Sequence, residues 1–270
     1  NFEIAKSINF IFCSHPLNKK NVDEDYLEEY QAAGLNHTCA LFSFEDLENG
    51  KLSLYGEDIK GVTIYRGWMM PPHMYELFYN LLQKKGIQLI NSPKEYAKYH
   101  LLPVWYSDFE GLTPFSVWNK SRDIGDALEL TERLEGAFVV KDYVKSRKHE
   151  WYDACFIKDI SDRKETFRVI NNFLNRQGEN FEGGVVLRKL ERLKSIGSHK
   201  DSGIPISEEY RVFVFKGEIL ISDNYWSENE EVNISEDEYI WIESIASRIE
   251  SSFVTIDLAR KADGSLIIME

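Results

Sequence analysis

The 270-residue sequence lacks the features that mark membrane and nucleic-acid-binding proteins. No apolar run approaches the roughly 20 residues that a membrane-spanning helix needs, and no signal peptide opens the chain. Lysine and arginine total 32 against 45 aspartates and glutamates, which gives a net charge of −13. A protein that binds nucleic acid over a broad surface normally has an excess of basic residues instead. We therefore expect a globular protein with no membrane partner, while a local basic groove stays compatible with the acidic total.

Cysteine and histidine are too few and too scattered to indicate a transition-metal site. The three cysteines are odd in number and have no metal-ligand spacing, and the six histidines form no HxxxH or HxH pair. Reduced, buried thiols in a cytoplasmic protein are the simplest interpretation.

Several catalytic signatures are also absent. The sequence has no GxxxxGK[ST], no GxGxxG after a strand, no GxSxG and no HExxH. A nucleotide would therefore have to be held by lysines, by the backbone edge of a strand and by carboxylate-bound Mg²⁺.

The first part of the chain alternates apolar runs with amphipathic segments. The pattern predicts strands over residues 8–13, 38–42, 61–65 and 87–90, with helices over 23–33 and 72–85. This alternation indicates a small, mostly parallel α/β domain, to which we assign residues 1–115.

Arg66 directly follows the third predicted strand, where ligands sit in such sheets, and Gly67 gives the backbone room to turn. Arg66 either contacts a substrate or pairs with an acidic neighbour beside Trp68.

The rest of the chain places charged residues at the ends of β-rich apolar runs. The stretch GAFVVKDYVKSR (residues 136–147) predicts a buried strand over 137–140 that delivers Lys141 and Lys145 at its end. A second strand and turn are predicted over 151–162. The later runs are FEGGVVLRK (181–189), EYRVFVFKGEILIS (209–222), FVTIDLARK (253–261) and GSLIIME (264–270), with hairpins turning at 216–217 and 263–264.

Lys141 and Lys145 lie beside a cationic loop that continues through residues 147–149. A lysine ammonium is a compact donor for phosphate oxygens, so the pair favours phosphate contact over the alternative, a solvated basic turn.

Arg211 lies inside a predicted strand, where a charge is costly without a partner, so it pairs either with an acidic side chain or with a ligand phosphate. Asp257 and Glu270 end apolar runs on neighbouring predicted strands and can share a hard cation such as Mg²⁺. The alternatives are that Asp257 pairs with Arg260 and that Glu270 is a frayed end.

These runs together resemble the ATP-grasp family over residues 117–270. The resemblance implies a two-subdomain ATP-grasp fold, with α+β subdomains at 116–187 and 188–270 that clamp ATP between them. It also implies a set of roles: phosphate contact by Lys141 and Lys145, an adenine edge at Val186 and Leu187, a γ-phosphate contact at Arg211, and Mg²⁺ ligands at Asp257 and Glu270. Arg211 and Lys145 would then be the catalytic residues.

The whole chain, including YRGWM and INSPKEYAKYHLLPVWY, resembles the ATP-grasp clade named for an Arg and two Lys. Arg188, Lys141 and Lys145 would be that trio, with Arg188 among the nucleotide contacts. The α/β domain at residues 1–115 would be the pre-ATP-grasp-like domain of such proteins.

The resemblance implies an ATP-dependent ligase, which the thiols place in the cytoplasm. A substrate carboxylate would attack the γ-phosphate of Mg·ATP, and an amine would displace phosphate from the resulting acyl phosphate. Arg66 and a segment over 191–203 that we predict to be mobile are candidates for the acceptor side.

Two other functions remain open at this stage. The first is ATP-dependent RNA-end ligation or repair, for which Lys189, Arg192, Lys194, His199 and Lys200 would supply a local basic edge. The second is nucleotide or partner binding without turnover.

Overall fold

A computed structural model describes residues 8–198, 205–222 and 234–270 of the chain. The chain divides into two compact units: one runs to Ala97 and includes Glu250–Phe253, and the other comprises Lys98–Ile249 and Val254–Glu270. The domain boundary placed between residues 115 and 116 stays a prediction. No helix within the described ranges is long and apolar enough to cross a membrane.

The first unit is built on a five-stranded, mostly parallel sheet, which confirms the predicted α/β class. Its strands are β1 (Asn9–Cys13), β2 (Cys39–Phe42), β3 (Leu54–Gly56), β4 (Gly61–Arg66) and β5 (Ile87–Leu89). Their order is β3-β2-β1-β4-β5, and β3 alone pairs antiparallel. Its helices are α1 (Leu27–Gly34), α2 (Phe44–Glu48), α3 (Pro72–Gln83) and the start of α4 (Pro93–His100).

Apolar side chains cover both faces of this sheet, as expected for parallel strands. Successive residues of β1 point to opposite faces, so Ile11 packs with Phe78 and Leu82 of α3. Phe12 packs with Tyr30 of α1, with ring centroids 5.5 Å apart. The predicted helix over 23–33 begins later because a 3-10 turn at Glu24–Tyr26 precedes it.

The second unit contains two antiparallel sheets, of which the first carries the predicted lysine-bearing strand. Its strands are β6 (Ser116–Trp118), β7 (Phe138–Lys141), β8 (Phe156–Ile157) and β9 (Val186–Lys189), in the order β6-β9-β7-β8. The accompanying helices are α5 (Leu102–Trp105), α6 (Ile124–Glu129), α7 (Trp151–Ala154) and α8 (Arg163–Gln177). Single 3-10 turns occur at Tyr106–Asp108, Lys148–Glu150 and Gly178–Asn180. Helix α8 packs Ile170 and Phe173 against this sheet.

The second sheet of this unit follows a two-stranded ribbon. The ribbon consists of β10 (Ser195–Ser198) and β11 (Pro205–Ser207), so the segment predicted to be mobile contains a strand; residues 199–204 lie outside the described ranges. The sheet consists of β12 (Glu209–Phe215), β13 (Glu218–Ser222), β14 (Phe253–Arg260) and β15 (Leu266–Ile268), in the order β13-β12-β14-β15. Both predicted hairpins are confirmed.

Helix α9 (Glu236–Ala246) covers one face of the second sheet. Residues of β12 alternate between buried and half-buried positions, and Val212 and Val214 on the buried face pack with Ile242 and Ile245 of α9. Arg211 therefore lies on the opposite, more accessible face.

Candidate functional site

Lys141 and Glu270 join the two sheets of the second unit. Lys141 is the last residue of β7 and is only 5% exposed. Its Nζ lies 3.0 Å from Oε1 of Glu270, which follows β15 by two residues. The alternative of a frayed end at Glu270 is thus wrong, because its side chain is bound to a buried ammonium group.

The electrostatic surroundings of Glu270 are strongly cationic. More than half of the Glu270 side chain is exposed. The protein atoms around the carboxyl partly desolvate it and raise its pKa, but the charges of Lys141, Lys148 and Arg188 outweigh this effect and hold the pKa below its ordinary value. Glu270 is therefore an anion at neutral pH and can bind a cation.

Arg211 and Asp257 form the second ion pair of the site. Arg211 Nε donates to Asp257 Oδ1 and Nη2 donates to Oδ2, both at 2.8 Å, in a bidentate arrangement. About a third of each side chain is exposed. Of the two partners predicted for Arg211, the structure shows the acidic side chain.

Asp257 does not pair with Arg260, which corrects the alternative considered from the sequence. The Arg260 Nε donates to Glu208 Oε1 at 2.6 Å, and its Nη1 donates to Glu238. Arg260 therefore serves a separate charge network, and Asp257 belongs with Arg211.

Backbone hydrogen bonds make Asp257 and Glu270 neighbours on adjacent chain segments, and their shared metal ion stays a prediction. Asp257 N–H donates to Glu270 O at 2.8 Å, and Met269 N–H donates to Asp257 O at 2.7 Å. Among the described residues, no three His, Cys, Asp or Glu side chains form a group that could hold a metal ion. Two carboxylates fit Mg²⁺, which takes few protein ligands and completes its shell with water and substrate phosphates.

Lys145 belongs to a tight turn that follows β7, here named the lysine turn (residues 141–146). Lys141 and Ser146 form an isolated antiparallel bridge, and the Lys145 N–H donates to Asp142 Oδ1 at 2.6 Å. The Lys145 side chain is exposed, unlike that of Lys141. The structure thus brings Lys141, Arg211, Asp257 and Glu270 into ion pairs and leaves Lys145 at the surface of the same turn.

Arg188 is 6% exposed and binds protein groups. Its Nη2 donates to Met269 O at 2.7 Å and to Thr113 Oγ1 at 2.9 Å, and its Nη1 donates to Ser116 Oγ at 3.2 Å. Burial lowers the pKa of this guanidinium to about 10. These contacts fix the backbone next to Glu270, and the nucleotide contact assigned to Arg188 stays a prediction.

Val186 and Leu187 are fully buried in the middle of the first sheet. β9 pairs with β6 on one side and with β7 on the other through both residues. Neither residue offers a free strand edge, and their proposed adenine contact stays a prediction that their backbone pairing does not support.

Arg66 lies in the first unit and pairs with Glu29 of α1. Its Nε and Nη2 donate to the two carboxylate oxygens at 2.8 Å each, and its guanidinium lies 5.9 Å from the Phe253 ring centroid. Trp68 packs edge-on against Tyr26, with centroids 6.5 Å apart. The alternative of an acidic partner is therefore the one the structure shows.

One of the basic residues that could contact RNA forms an ion pair within the protein. Lys194 Nζ lies 2.6 Å from Oε2 of the buried Glu208. His199 and Lys200 lie outside the described residues.

Two carboxylates near the site escaped the sequence analysis. Glu209 precedes Arg211 by two residues and so shares its face of β12. Burial raises the pKa of Glu209, and the charges of Asp257 and Glu270 add to this effect while Lys148 and Arg211 oppose it. The alternation of EYRVF already indicates that Glu209 and Arg211 lie on the same face of the strand.

Asp142 is 1% exposed between the two lysines, and the sequence gives no sign of its burial.

Comparison with known structures identifies ATP-grasp ligases with the same fold. VanG D-Ala:D-Ser ligase from Enterococcus faecalis is 12% identical with a TM-score of 0.58, over 98% of this chain and 89% of that chain. D-alanyl-alanine synthetase A from Vibrio cholerae is 12% identical with a TM-score of 0.57, over 98% of this chain and 88% of that chain. The ATP-grasp ligase PsnB, complexed with minimal precursor, Mg and ADP, is 13% identical with a TM-score of 0.52, over 97% of this chain and 88% of that chain.

At these identities the structural likeness shows the fold alone. No curated protein sequence matches the chain. A family model for an ATP-grasp domain, family 3 of the clade named for an Arg and two Lys, matches residues 127–270, which is more than half of the chain. The chain therefore belongs to the ATP-grasp family, within family 3 of that clade.

Proposed function

We propose that the second unit binds Mg·ATP and that the protein is an ATP-dependent ligase that couples a carboxylate to an amine. The observation that carries this proposal is the matched set of ion pairs, Lys141 with Glu270 and Arg211 with Asp257. Each pair offers a cation for a phosphate oxygen and a carboxylate for a metal ion. Membership of the ATP-grasp family and the Mg and ADP bound to PsnB support the same ligands.

In this proposal the cations of the site bind the triphosphate. Lys141 and Lys145 contact phosphate oxygens from the lysine turn, and Arg211 contacts the γ-phosphate. Asp257 and Glu270 hold Mg²⁺, which when bound neutralises charge on the phosphate oxygens. Arg188 keeps Glu270 in place through the Met269 carbonyl.

The proposed reaction has two steps. A carboxylate oxygen of the first substrate attacks the γ-phosphorus, the bond from that phosphorus to the bridging oxygen breaks, and ADP leaves. An amine nitrogen then attacks the acyl carbon, phosphate leaves with the acyl carbon–oxygen electrons, and the nitrogen gives up a proton. Lys145 and Arg211 stabilise the transferring phosphoryl group through charge and position, which is the main source of catalysis in such transfers.

We assign the acceptor contact to Arg66 as part of the same proposal. Its bidentate pair with Glu29 presents both charges at the carboxyl end of β4, where open α/β sheets bind ligands. A substrate carboxylate can take over the guanidinium, and an ammonium can take over the carboxylate.

Measurement of nucleotide products with a panel of carboxylates and amines tests the reaction. ADP and phosphate released only when both substrates are present would support the ligase, and AMP as the sole nucleotide product would contradict it. ATP binding without turnover by any pair would favour the non-catalytic alternative. Lys141→Ala is expected to lose ADP formation, whereas Lys164→Ala, on the exposed start of α8, should retain it.

A further inference from the structure

Asp142 is a buried carboxylate at the centre of the lysine turn. It follows Lys141 directly and precedes Lys145 by three residues, and it is 1% exposed. A carboxylate so far from water is unfavourable unless its oxygens are hydrogen-bonded, so the fold must supply donors for it. The ligand contacts proposed above do not use this side chain.

Both oxygens of Asp142 accept hydrogen bonds from neutral amides. Oδ1 accepts from the N–H groups of Val144 at 2.8 Å and Lys145 at 2.6 Å. Oδ2 accepts from Gln177 Nε2 at 2.7 Å and from the Glu182 N–H at 3.2 Å. All four donors are uncharged N–H groups, so these hydrogen bonds use neither lysine ammonium group.

The two oxygens have different effects on the chain. Oδ1 binds two N–H groups of its own turn, those of Val144 and Lys145. The Asp142 N–H stabilises the same turn by donating to Lys145 O at 2.9 Å. Oδ2 ties the same turn to the last residue of α8, Gln177, and to the segment before β9, at Glu182. One carboxylate thus fixes the direction of Lys145 relative to Lys141 and the position of the turn on the sheet.

Tyr143 fastens the turn at further points. Its N–H donates to Glu182 O at 3.1 Å, its carbonyl accepts from the Leu102 N–H at 2.9 Å, and its hydroxyl donates to Asn119 O at 2.6 Å. The lysine turn is therefore held rigidly before any ligand binds.

We propose that Asp142 is a positioning residue that holds Lys141 and Lys145 in the arrangement required to bind the phosphates of ATP. The inference rests on the proposed function, because it takes phosphate groups as the ligands of the lysines. Asp142 acts through the two lysines, so its loss weakens recognition of phosphates and leaves recognition of the nucleoside unchanged.

Asparagine is the sharpest substitution at this position. It keeps the size of the side chain but replaces one acceptor oxygen with an amide that donates. That amide then faces either the turn N–H groups or Gln177 and Glu182, all of which are donors to Asp142. The new amide donor then faces another N–H donor with no acceptor between them, and the turn loses the geometry that Asp142 imposes.

The test compares the Kd of AMP-PNP with that of adenosine, both with Mg²⁺, by calorimetry. Asp142→Asn is expected to weaken AMP-PNP binding by roughly tenfold to a hundredfold and to leave adenosine binding unchanged. Asp162→Asn is the matched control, because Asp162 caps α8 through the N–H groups of Lys164 and Glu165, and asparagine caps equally well.

A double variant, Asp142→Asn with Gln177→Glu, reverses one donor–acceptor pair. The new carboxylate at position 177 accepts from the new amide at position 142, and it can still accept from Arg147 Nη1, which lies 3.3 Å from Gln177 Oε1. We expect this variant to recover part of the affinity for AMP-PNP. A loss of affinity that does not arise from the opposed donors would not be relieved by this exchange.

The outcomes separate the inference from the proposed function. A wild-type protein that binds AMP-PNP no better than adenosine would contradict the proposed function. A wild type that prefers AMP-PNP, together with Asp142→Asn that keeps the same preference, would overturn the positioning role alone. If Asp142→Asn does not fold, Gln177→Met removes one of the four donors to Asp142 together with the contact to Arg147, and an unchanged preference in that variant would likewise overturn the role.

Discussion

Arg211 occupies both carboxylate oxygens of Asp257, each at 2.8 Å. In the proposed complex, a metal ion on the Asp257 oxygens that face Arg211 competes with a guanidinium, and a phosphate on Nε and Nη2 of Arg211 competes with a carboxylate. The Lys141 ammonium contacts one oxygen of Glu270, so competition there concerns that single contact. Mg²⁺ and the nucleotide together would give each group that loses a contact a new partner of opposite charge.

We expect the two ligands to bind cooperatively for this reason. Mg²⁺ alone would lie next to the displaced Arg211, whereas a phosphate brought by ADP gives that guanidinium a new partner. The affinity for Mg²⁺ should rise by about tenfold or more at saturating ADP, within the usual range of coupling between sites. Calorimetric titration, corrected for Mg²⁺ bound to free ADP, measures this factor.

Asp257→Asn provides the control for that cooperativity. The amide removes a negative charge and one of the two oxygens that Arg211 binds, so the coupling between Mg²⁺ and ADP should fall towards unity. Equal affinities for Mg²⁺ with and without ADP in the wild type would show that the ion pairs do not oppose the ligands.

The buried charge network around Glu208 should make the protein sensitive to acid. Burial raises the pKa of Glu208, but hydrogen bonds from Lys194, Tyr210 and Arg260 outweigh burial and lower it from 4.5 to about 2. Because the pKa of Glu208 is lower in the folded state than in the unfolded state, the ionised carboxylate stabilises the fold when the pH lies above the unfolded-state pKa. This contribution disappears as the pH falls from about 4.5 towards 2. At neutral pH it amounts to about 3 kcal/mol.

Glu208→Gln should therefore lower the free energy of unfolding by about 3 kcal/mol at pH 7 and make the loss of stability between pH 5 and pH 2 smaller by about the same amount. Denaturant unfolding across this range measures both effects. Glu129→Gln, at an exposed position of α6, is the control and should change neither. A Glu208→Gln variant with wild-type acid dependence would show that Glu208 titrates normally.

Gly184 allows the chain to pass close to Asn119. A Cβ at Gly184 would lie 2.1 Å from the Asn119 carbonyl oxygen, a backbone atom that cannot rotate away. Gly184→Ala should destabilise the protein by about 3 kcal/mol, whereas Gly111→Ala, with open space and a positive φ, should cost about 1 kcal/mol. Thermal unfolding compares them, and equal losses would contradict the close approach.

Local sequence pattern predicted the strands that carry the charged residues, whereas the short strands β3, β6, β10 and β11 were not predicted. Lys141, Arg211 and Asp257 lie on the strands predicted for them because period-two burial and turn residues act over a few positions. The predicted strand over 151–162 is wrong in its first part, where α7 (Trp151–Ala154) forms and only β8 (Phe156–Ile157) follows. Three of the four residues of α7 are aromatic or apolar and fit either structure, and packing on α8 decides between a helix and a strand.

The ion-pair partners of these charged residues could not be predicted from a single sequence. Lys141 and Glu270 are 129 residues apart, and Arg66 and Glu29 are 37 apart, so only the folded chain brings them together. The adenine contact at Val186 and Leu187 stays a prediction that rests on the family resemblance. The pairing of β9 with neighbours on both sides is also visible only in the folded chain.

The affinity of the protein for AMP-PNP with Mg²⁺, measured by calorimetry on the wild type and on Lys141→Ala, tests the central claim most directly. The buried Lys141 ammonium binds Glu270 in the structure and binds a phosphate in the proposed complex. Its loss should weaken AMP-PNP binding by about a hundredfold, as expected for a charged hydrogen bond removed from a buried site. Lys164→Ala should bind as the wild type does. Equal affinity of Lys141→Ala and the wild type would contradict the assignment of this site to ATP.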